Sequence, residues 1–111
     1  MESLEIHDLF SRLSESPHIK DHPWRWPVLS TVSPDAQPHA RIVVLREFHQ
    51  ETAVIYTDAR TQKITDLRQN PACSLLFFDK EERLQLRAEA TAVIHLRDAT
   101  CEQHWTALNQ R

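Results

Sequence analysis

Two cations, Arg41 and Lys63, stand where a chain can capture an anion. Arg41 opens the run Arg41-Ile42-Val43-Val44-Leu45-Arg46. Strand alternation puts Arg41 on the face of Val43 and Leu45, and Arg46 on the other face with Ile42 and Val44. An arginine that begins an apolar strand can emerge at a sheet rim and aim its planar fork at a phosphate. The same position also suits a strand-end arginine that only lays its stem on apolar surface. Lys63 closes Arg60-Thr61-Gln62-Lys63. Thr61 can cap a helix there, which leaves Lys63 in the first turn, where the helix dipole disfavours a cation. An anion bound at that N-terminus reverses the penalty; otherwise Lys63 is a solvated helix residue.

Two further motifs can serve a ligand. Tyr56-Thr57-Asp58 ends an apolar strand. Gln85 lies beside Arg87 on the polar side of a long strand, and its amide both donates and accepts, as reading the edge of a heterocycle requires. A solvated strand face explains Gln85 equally well. His18 and His22 have i, i+4 spacing, but Pro17 and Pro23 hem them in and disfavour a helical metal pair. Cys73 and Cys101 have no CxxC spacing and read as small buried apolar residues. Trp24, Trp26 and Trp105 read as core or interface packing.

Composition narrows the chemistry further. The 111 residues contain no glycine. Dinucleotide loops, Walker A loops and nucleophile elbows need glycine where backbone crowds a phosphate or a turn, so all three are excluded. A bound phosphate must then be held by side chains and ordinary helix N-terminal amides. A net charge of −3 gives no footprint for nucleic acid. No apolar run nears the roughly 20 residues of a membrane span, and MESLEIHDLF is acidic where a signal peptide is basic. The expectation is a soluble, cytoplasmic protein without a nucleic-acid or membrane partner.

The positioning elements follow from periodicity. Ile6, Leu9, Phe10 and Leu13 form the stripe of an amphipathic helix capped by Ser3 and ended by Pro17. A proline-punctuated linker covers His18 to Pro27. Strands are predicted over Trp26–Val32, His39–Phe48 and Thr52–Thr57, with a turn at Ser33-Pro34-Asp35-Ala36 and another near His49-Gln50-Glu51. Thr61–Gln69 turns helical, and Asn70-Pro71 stops it. Strands follow over Cys73–Phe78 and Leu84–Ile94. In the latter, Leu84, Leu86, Ala88, Ala90, Ala92 and Ile94 share one face, and such small residues suit a curved barrel wall. Asp98 is predicted to cap a last helix carrying Cys101, Trp105 and Leu108. Short connections require a mostly antiparallel sheet, so the fold class is mainly β, a closed or half-closed barrel with peripheral helices.

Arg41-x-Val43-x-Leu45-Arg46, then Tyr56-Thr57, Lys63 and Gln85 in that order and spacing, resemble the flavin site of the pyridoxamine-5′-phosphate-oxidase-like, FMN-binding split-barrel family. The resemblance runs from about Trp26 to Ile94. It implies that Arg41 and Lys63 hold the phosphate of flavin mononucleotide (FMN), with Gln62 beside them. It implies that Ile42, Val43, Val44 and Leu45, with Arg46 at the end of the run, line the isoalloxazine. Tyr56 and Thr57 hold the ribityl-phosphate end, and Gln85 hydrogen-bonds the ring. It further implies a homodimer with flavin at the interface.

The chain departs from the family pattern in three places. Gln62 replaces a usual arginine, and Arg46 a substrate-contacting lysine. The substrate-phosphate motif Y-x-x-x-R-x-x-x-S would fall on Gln103, Ala107 and Arg111, none of which matches. Pyridoxamine phosphate oxidation is therefore not what the motifs favour. The chain reads as one domain over 1–111, lacking the family's C-terminal segment. Three functions stay open: an FMN-dependent oxidoreductase of unassigned substrate, a non-catalytic flavin or small-molecule binding module, and a ligand-free dimeric scaffold. The apolar strand Cys73–Phe78, with no polar face for water, independently calls for a second copy.

Overall fold

A computed structural model describes residues 6–58, 60–95 and 104–110. The elements run α1 (Ile6–Glu15), β1 (Val28–Val32), β2 (Pro38–Ile42), β3 (Glu47–His49), β4 (Thr52–Tyr56), α2 (Gln62–Gln69), β5 (Ala72–Asp79), β6 (Leu84–Thr91) and β7 (His104–Gln110). Short 3-10 turns at Ser16–His18 and Pro23–Arg25 fill the proline-rich linker. No helix among the described residues is long and apolar enough to cross a membrane.

The seven strands form one antiparallel sheet in the order β2-β1-β5-β6-β7-β4-β3. Its two edge strands, β2 and β3, are consecutive in the chain and joined only by Val43–Arg46. Laid flat, seven strands would separate those edges by roughly 29 Å. The link spans at most about 18 Å even when fully extended. The sheet must therefore roll until its edges approach, a half-closed barrel as the short connections predicted. Hydrogen bonds tie the link to both sides: Val43 N–H donates to Pro27 O, Leu45 N–H to Arg25 O and Arg46 N–H to Val54 O.

The rolled inner face is the core. Leu29, Leu75, Phe77, Ile55, Val43 and Leu45 are buried there with Leu13 of α1, Ile64 and Leu67 of α2, and Trp24. The Trp24 and Phe77 rings lie 5.6 Å apart. Ala88, Ala90 and Ala92 are buried on one side of the β6 segment, while Gln85, Arg87 and Glu89 are exposed on the other, as the alternation predicted. Small side chains there leave room for the curvature that the short link imposes.

The structure corrects three sequence expectations. His39–Phe48 is two strands with a crossover between them, because residues 43–46 leave β2 to reach the opposite sheet edge. β6 stops at Thr91; Ala92 N–H still donates to Pro71 O, the next pair of the β5–β6 register, but proline has no N–H with which to carry the ladder further. Trp105 and Leu108 lie in β7, not in a helix; Asp98 and Cys101 fall outside the described residues. Apolar spacing over so short a segment does not separate helix from strand. Between β6 and β4 this segment satisfies the backbone groups of both neighbours, and that decides the matter. The proposed Ser3 cap also lies outside the described residues.

Without glycine, tight turns put ordinary residues in left-handed conformations. Asp21, Ala36, Gln50, Glu51 and Arg83 all have φ between 50° and 64°. Gln50 and Glu51 form the two-residue link of the β3–β4 hairpin, between the paired His49 and Thr52. Asn-Gly is the pair such turns prefer, and each ordinary residue there costs about 1 kcal/mol. The double substitution Gln50→Asn, Glu51→Gly should stabilise the fold by about 1–2 kcal/mol. That corresponds to a thermal midpoint higher by roughly 5–10 °C in a scanning melt; an unchanged midpoint would show that the hairpin carries no strain.

Candidate functional site

Register brings the site together. In the β1–β2 ladder Leu29 lies opposite Arg41 and Thr31 opposite His39, all four on the inner side of the sheet. Thr31 is thus a diagonal neighbour of Arg41. Helix α2 packs against β1 and turns Ile64, Asp66 and Leu67 into the core. An acid among those apolar residues needs partners, because an unpaired buried charge is expensive.

Asp66 is fully buried and has them. Its Oδ2 accepts from the Thr31 hydroxyl at 2.8 Å and from His39 Nδ1 at 3.0 Å, and its Oδ1 accepts from Gln62 Nε2 at 2.9 Å. Burial alone would push this carboxyl up. The hydrogen bonds from His39, Gln62 and Thr31, with the attraction of His39, outweigh burial and hold it at about 2. Asp66 is therefore an anion at every physiological pH, and His39 must carry its proton on Nδ1 to donate to it.

Arg41 is half-buried beside this carboxylate. Its Nη1 donates to Leu29 O at 3.1 Å and to Thr31 Oγ1 at 2.9 Å. Its Nη2 lies 3.8 Å from Asp66 Oδ2, close enough for an ion pair and too long for a hydrogen bond. The Nε–Nη2 edge, the edge a guanidinium offers to a phosphate, makes no hydrogen bond among the described residues. Burial lowers the Arg41 pKa and Asp66 opposes that effect. Lys63, also half-buried, is lowered first by burial and then by the positive charge of Arg41, with Asp58 opposing. Two cations thus repel each other across partly desolvated space, a repulsion that an anion between them would relieve.

The loop before α2 is set by Asp58. Arg60 gives it a backbone N–H at 2.9 Å and two guanidinium contacts at 3.1 and 2.8 Å. Those bonds, side chain first, hold the exposed Asp58 carboxyl at about 2. Thr61 is the N-cap residue, but its hydroxyl donates back to Asp58 O at 2.9 Å and does not cap the helix as predicted.

The other sequence-predicted residues are placed as follows. Gln62 is exposed and spends its amide on Asp66. Val43 and Leu45 are buried in the core, while Ile42 and Val44 are exposed on the outer face, as alternation required. Arg46 stacks over the Tyr56 ring at 5.2 Å, and Thr57 is half-buried just after β4. Gln85 is exposed on the outer face opposite Phe78. Arg41, Lys63 and Gln62 thus gather at one place. Gln85 shares the outer face with Ile42, away from the inward Arg41. Thr31, His39 and Asp66 were missed. Their only signal was period: His39 sits two before Arg41, and Asp66 four after Gln62.

Elsewhere, His22 Nδ1 accepts the Trp24 N–H, an N-cap that leaves that nitrogen to the backbone. Burial pushes the Cys73 thiol up to about 12, consistent with a packing role.

Similarity to known proteins shows a family and a fold. The family model described as pyridoxamine 5′-phosphate oxidase matches residues 26–111. A pyridoxine/pyridoxamine 5′-phosphate oxidase of Acaryochloris marina is 42% identical over 65 residues, 59% of this chain and 30% of the relative. One from Wolbachia pipientis wMel is 30% identical over 103 residues, 90% of this chain and 46% of the relative. The chain spans less than half the length of these curated relatives. A pyridoxamine 5′-phosphate oxidase-related, FMN binding protein of Nostoc punctiforme superposes with a TM-score of 0.72 at 22% identity, covering 88% of this chain and 52% of that one. That likeness establishes a shared split-barrel fold.

The lowered Lys63 pKa gives the anion site a pH dependence. A phosphate monoester held by Lys63 should lose affinity as pH rises through a range below the ordinary lysine value of 10.5. Lys63→Arg should keep its affinity through that range, because a guanidinium does not titrate there. Calorimetric titration with inorganic phosphate between pH 7 and 10 measures both; identical pH profiles would remove Lys63 from the site.

Proposed function

This chain belongs to the pyridoxamine 5′-phosphate oxidase family, and from that membership we propose that it is an FMN-binding flavoprotein, an FMN-dependent oxidoreductase of unassigned substrate. The observation that carries the proposal is the pairing of Arg41, whose Nε–Nη2 edge makes no hydrogen bond among the described residues, and Lys63, close enough for their charges to repel. A phosphate dianion relieves that repulsion and fills that edge. No glycine-rich loop competes for the role.

FMN, when bound, supplies the hydride and electron transfer chemistry. This chain's residues bind and orient it. Arg41 and Lys63 take the phosphate, and Tyr56 and Thr57 the ribityl-phosphate end. The backbone from Ile42 to Leu45, with the exposed side chains of Ile42 and Val44, takes the ring, with Gln85 hydrogen-bonding its edge; the side chains of Val43 and Leu45 stay in the core. Gln62 serves through Asp66, its amide being spent there. Arg46, stacked on Tyr56, borders the ring.

The outer face supports a homodimer. Trp26, Ile42, Val44 and Phe78 are between 37% and 67% exposed, too large an apolar group to leave to water. Through β1 and β5 the register aligns Ile42, Val28, Leu76 and Arg87 in one row across this face. A second copy seated there would bury the apolar residues and bring ring-binding residues to a shared cleft. Light scattering should give about twice the 13.0 kDa chain mass. Phe78→Glu should give the monomer, whereas a wild-type monomer at micromolar concentration refutes the dimer.

Two charge-assisted contacts of about 1.5–3 kcal/mol each set the phosphate preference. Arg41→Ala and Lys63→Ala should each lower FMN affinity by about one to two decades while riboflavin affinity barely moves. Fluorescence titration with both flavins decides this: equal wild-type affinities, or alanine variants that bind FMN like wild type, would end the FMN assignment. Reduction of the bound flavin by NAD(P)H, followed by turnover with an acceptor, separates the oxidoreductase from a non-catalytic flavin binder.

A further inference from the structure

We propose that Thr31 is a positioning residue for the anion site, a hydroxyl relay that locks the Arg41 guanidinium through the buried carboxylate of Asp66. The proposal rests on the phosphate role given above to Arg41. It assigns work to Thr31 and Asp66, which contribute nothing to packing that apolar residues could not do better.

The polarity of the relay follows from valence alone. Arg41 can only donate, so Thr31 Oγ1 must accept from Nη1 at 2.9 Å. The hydroxyl's single proton then goes to Asp66 Oδ2 at 2.8 Å. Asp66 is ionised and can only accept. Every hydrogen bond therefore runs one way, from Arg41 to Thr31 to Asp66, and rotating any member breaks a bond in a buried place. Asp66 cannot turn to release the relay, because His39 holds the same oxygen at 3.0 Å and Gln62 holds the other at 2.9 Å. Three elements, β1, β2 and α2, thus converge on one carboxylate.

The effect on Arg41 is to commit one nitrogen and leave one edge. Nη1 is spent on Leu29 O and Thr31. The Nε–Nη2 edge is left for a ligand, at a side chain that is 24% exposed and so reachable from solvent. A flexible arginine loses its rotamer freedom when it grips an anion. One already held loses little, so more of the contact appears as affinity. Among the described residues the site gathers two cations and no glycine loop, so the orientation of each cation weighs heavily.

Thr31→Val and Thr31→Ser separate the hydroxyl from the methyl. Valine keeps the shape and removes the relay; serine keeps the relay and removes the methyl. The readout is the ratio of riboflavin to FMN dissociation constants in the purified full chain. Thr31→Val should lower that ratio about five- to tenfold, the worth of one positioning hydrogen bond, while Thr31→Ser stays near wild type. A Thr31→Val ratio equal to wild type overturns the proposal. Equal losses in both variants also overturn it, because the methyl would then be the active part. A wild type that binds both flavins equally removes the anion-site reading itself, a result distinct from an unchanged valine variant. If Thr31→Val gives no cooperative melt, guanidinium nitrogen NMR of the ligand-free wild type decides. Hindered rotation of the Arg41 Nη groups upholds the relay, and free rotation overturns it.

Discussion

The four-residue link from β2 to β3 is the constraint on which the architecture depends. It joins the two edges of a seven-stranded sheet over a span shorter than the flat sheet is wide. Rolling is compulsory, and much else follows. The inner wall must curve, which the alanines of β6 permit. α2 can then reach the inner side of β1 and place Asp66 against Thr31. The same link carries Val43 and Leu45 into the core while leaving Val44 outside, beside Ile42 at the end of β2. One short connection therefore separates an inner side that carries Arg41 from an outer apolar face.

Legibility in the sequence was uneven for physical reasons. Alternation along β6 and in Arg41–Arg46 was clear, because each strand has one wet face and one dry face, and the period of two survives translation into burial. The link itself was invisible: residues 43–46 keep the apolar alternation of a strand, and Val43 and Leu45 still bond Pro27 and Arg25 in the β1–β2 register, before Arg46 N–H passes to Val54 of β4. Only the pairing of residues distant in the chain reveals that. The end of the chain misled for a similar reason. Trp105 and Leu108 have helical spacing, but β6 and β4 present edges that need a partner, and tertiary hydrogen bonding outweighs a short local pattern.

The candidate site divides along the same line. Arg41 and Lys63 could be singled out because a cation in an apolar strand or a helix first turn is locally out of place. Asp66, Thr31 and His39 could not, since each is ordinary in its own segment. Their meaning is combinatorial: register puts Thr31 opposite His39, and α2 lowers a carboxylate between them. Gln62, set beside the phosphate only by the resemblance, bonds Asp66 one turn along its own helix, a partner that its own segment does not announce.

The lack of glycine ties the site to the rest of the chain. Where a backbone loop cradles phosphate, recognition is spread over many amides and no single side chain is decisive. Here that route is closed by composition, and the turns themselves are made by Ala36, Gln50, Glu51 and Arg83 in left-handed conformations. A bound anion would fall to ordinary helix N-terminal amides and to long cationic side chains, which are flexible and costly to order. A buried carboxylate is then more than a structural ornament. It lies within an ion-pair distance of one cation, accepts from a histidine and an amide, and stays ionised because those bonds outweigh its burial. Its negative charge opposes a bound phosphate, yet it holds the arginine in place, and with so few donors available orientation is the more limiting quantity.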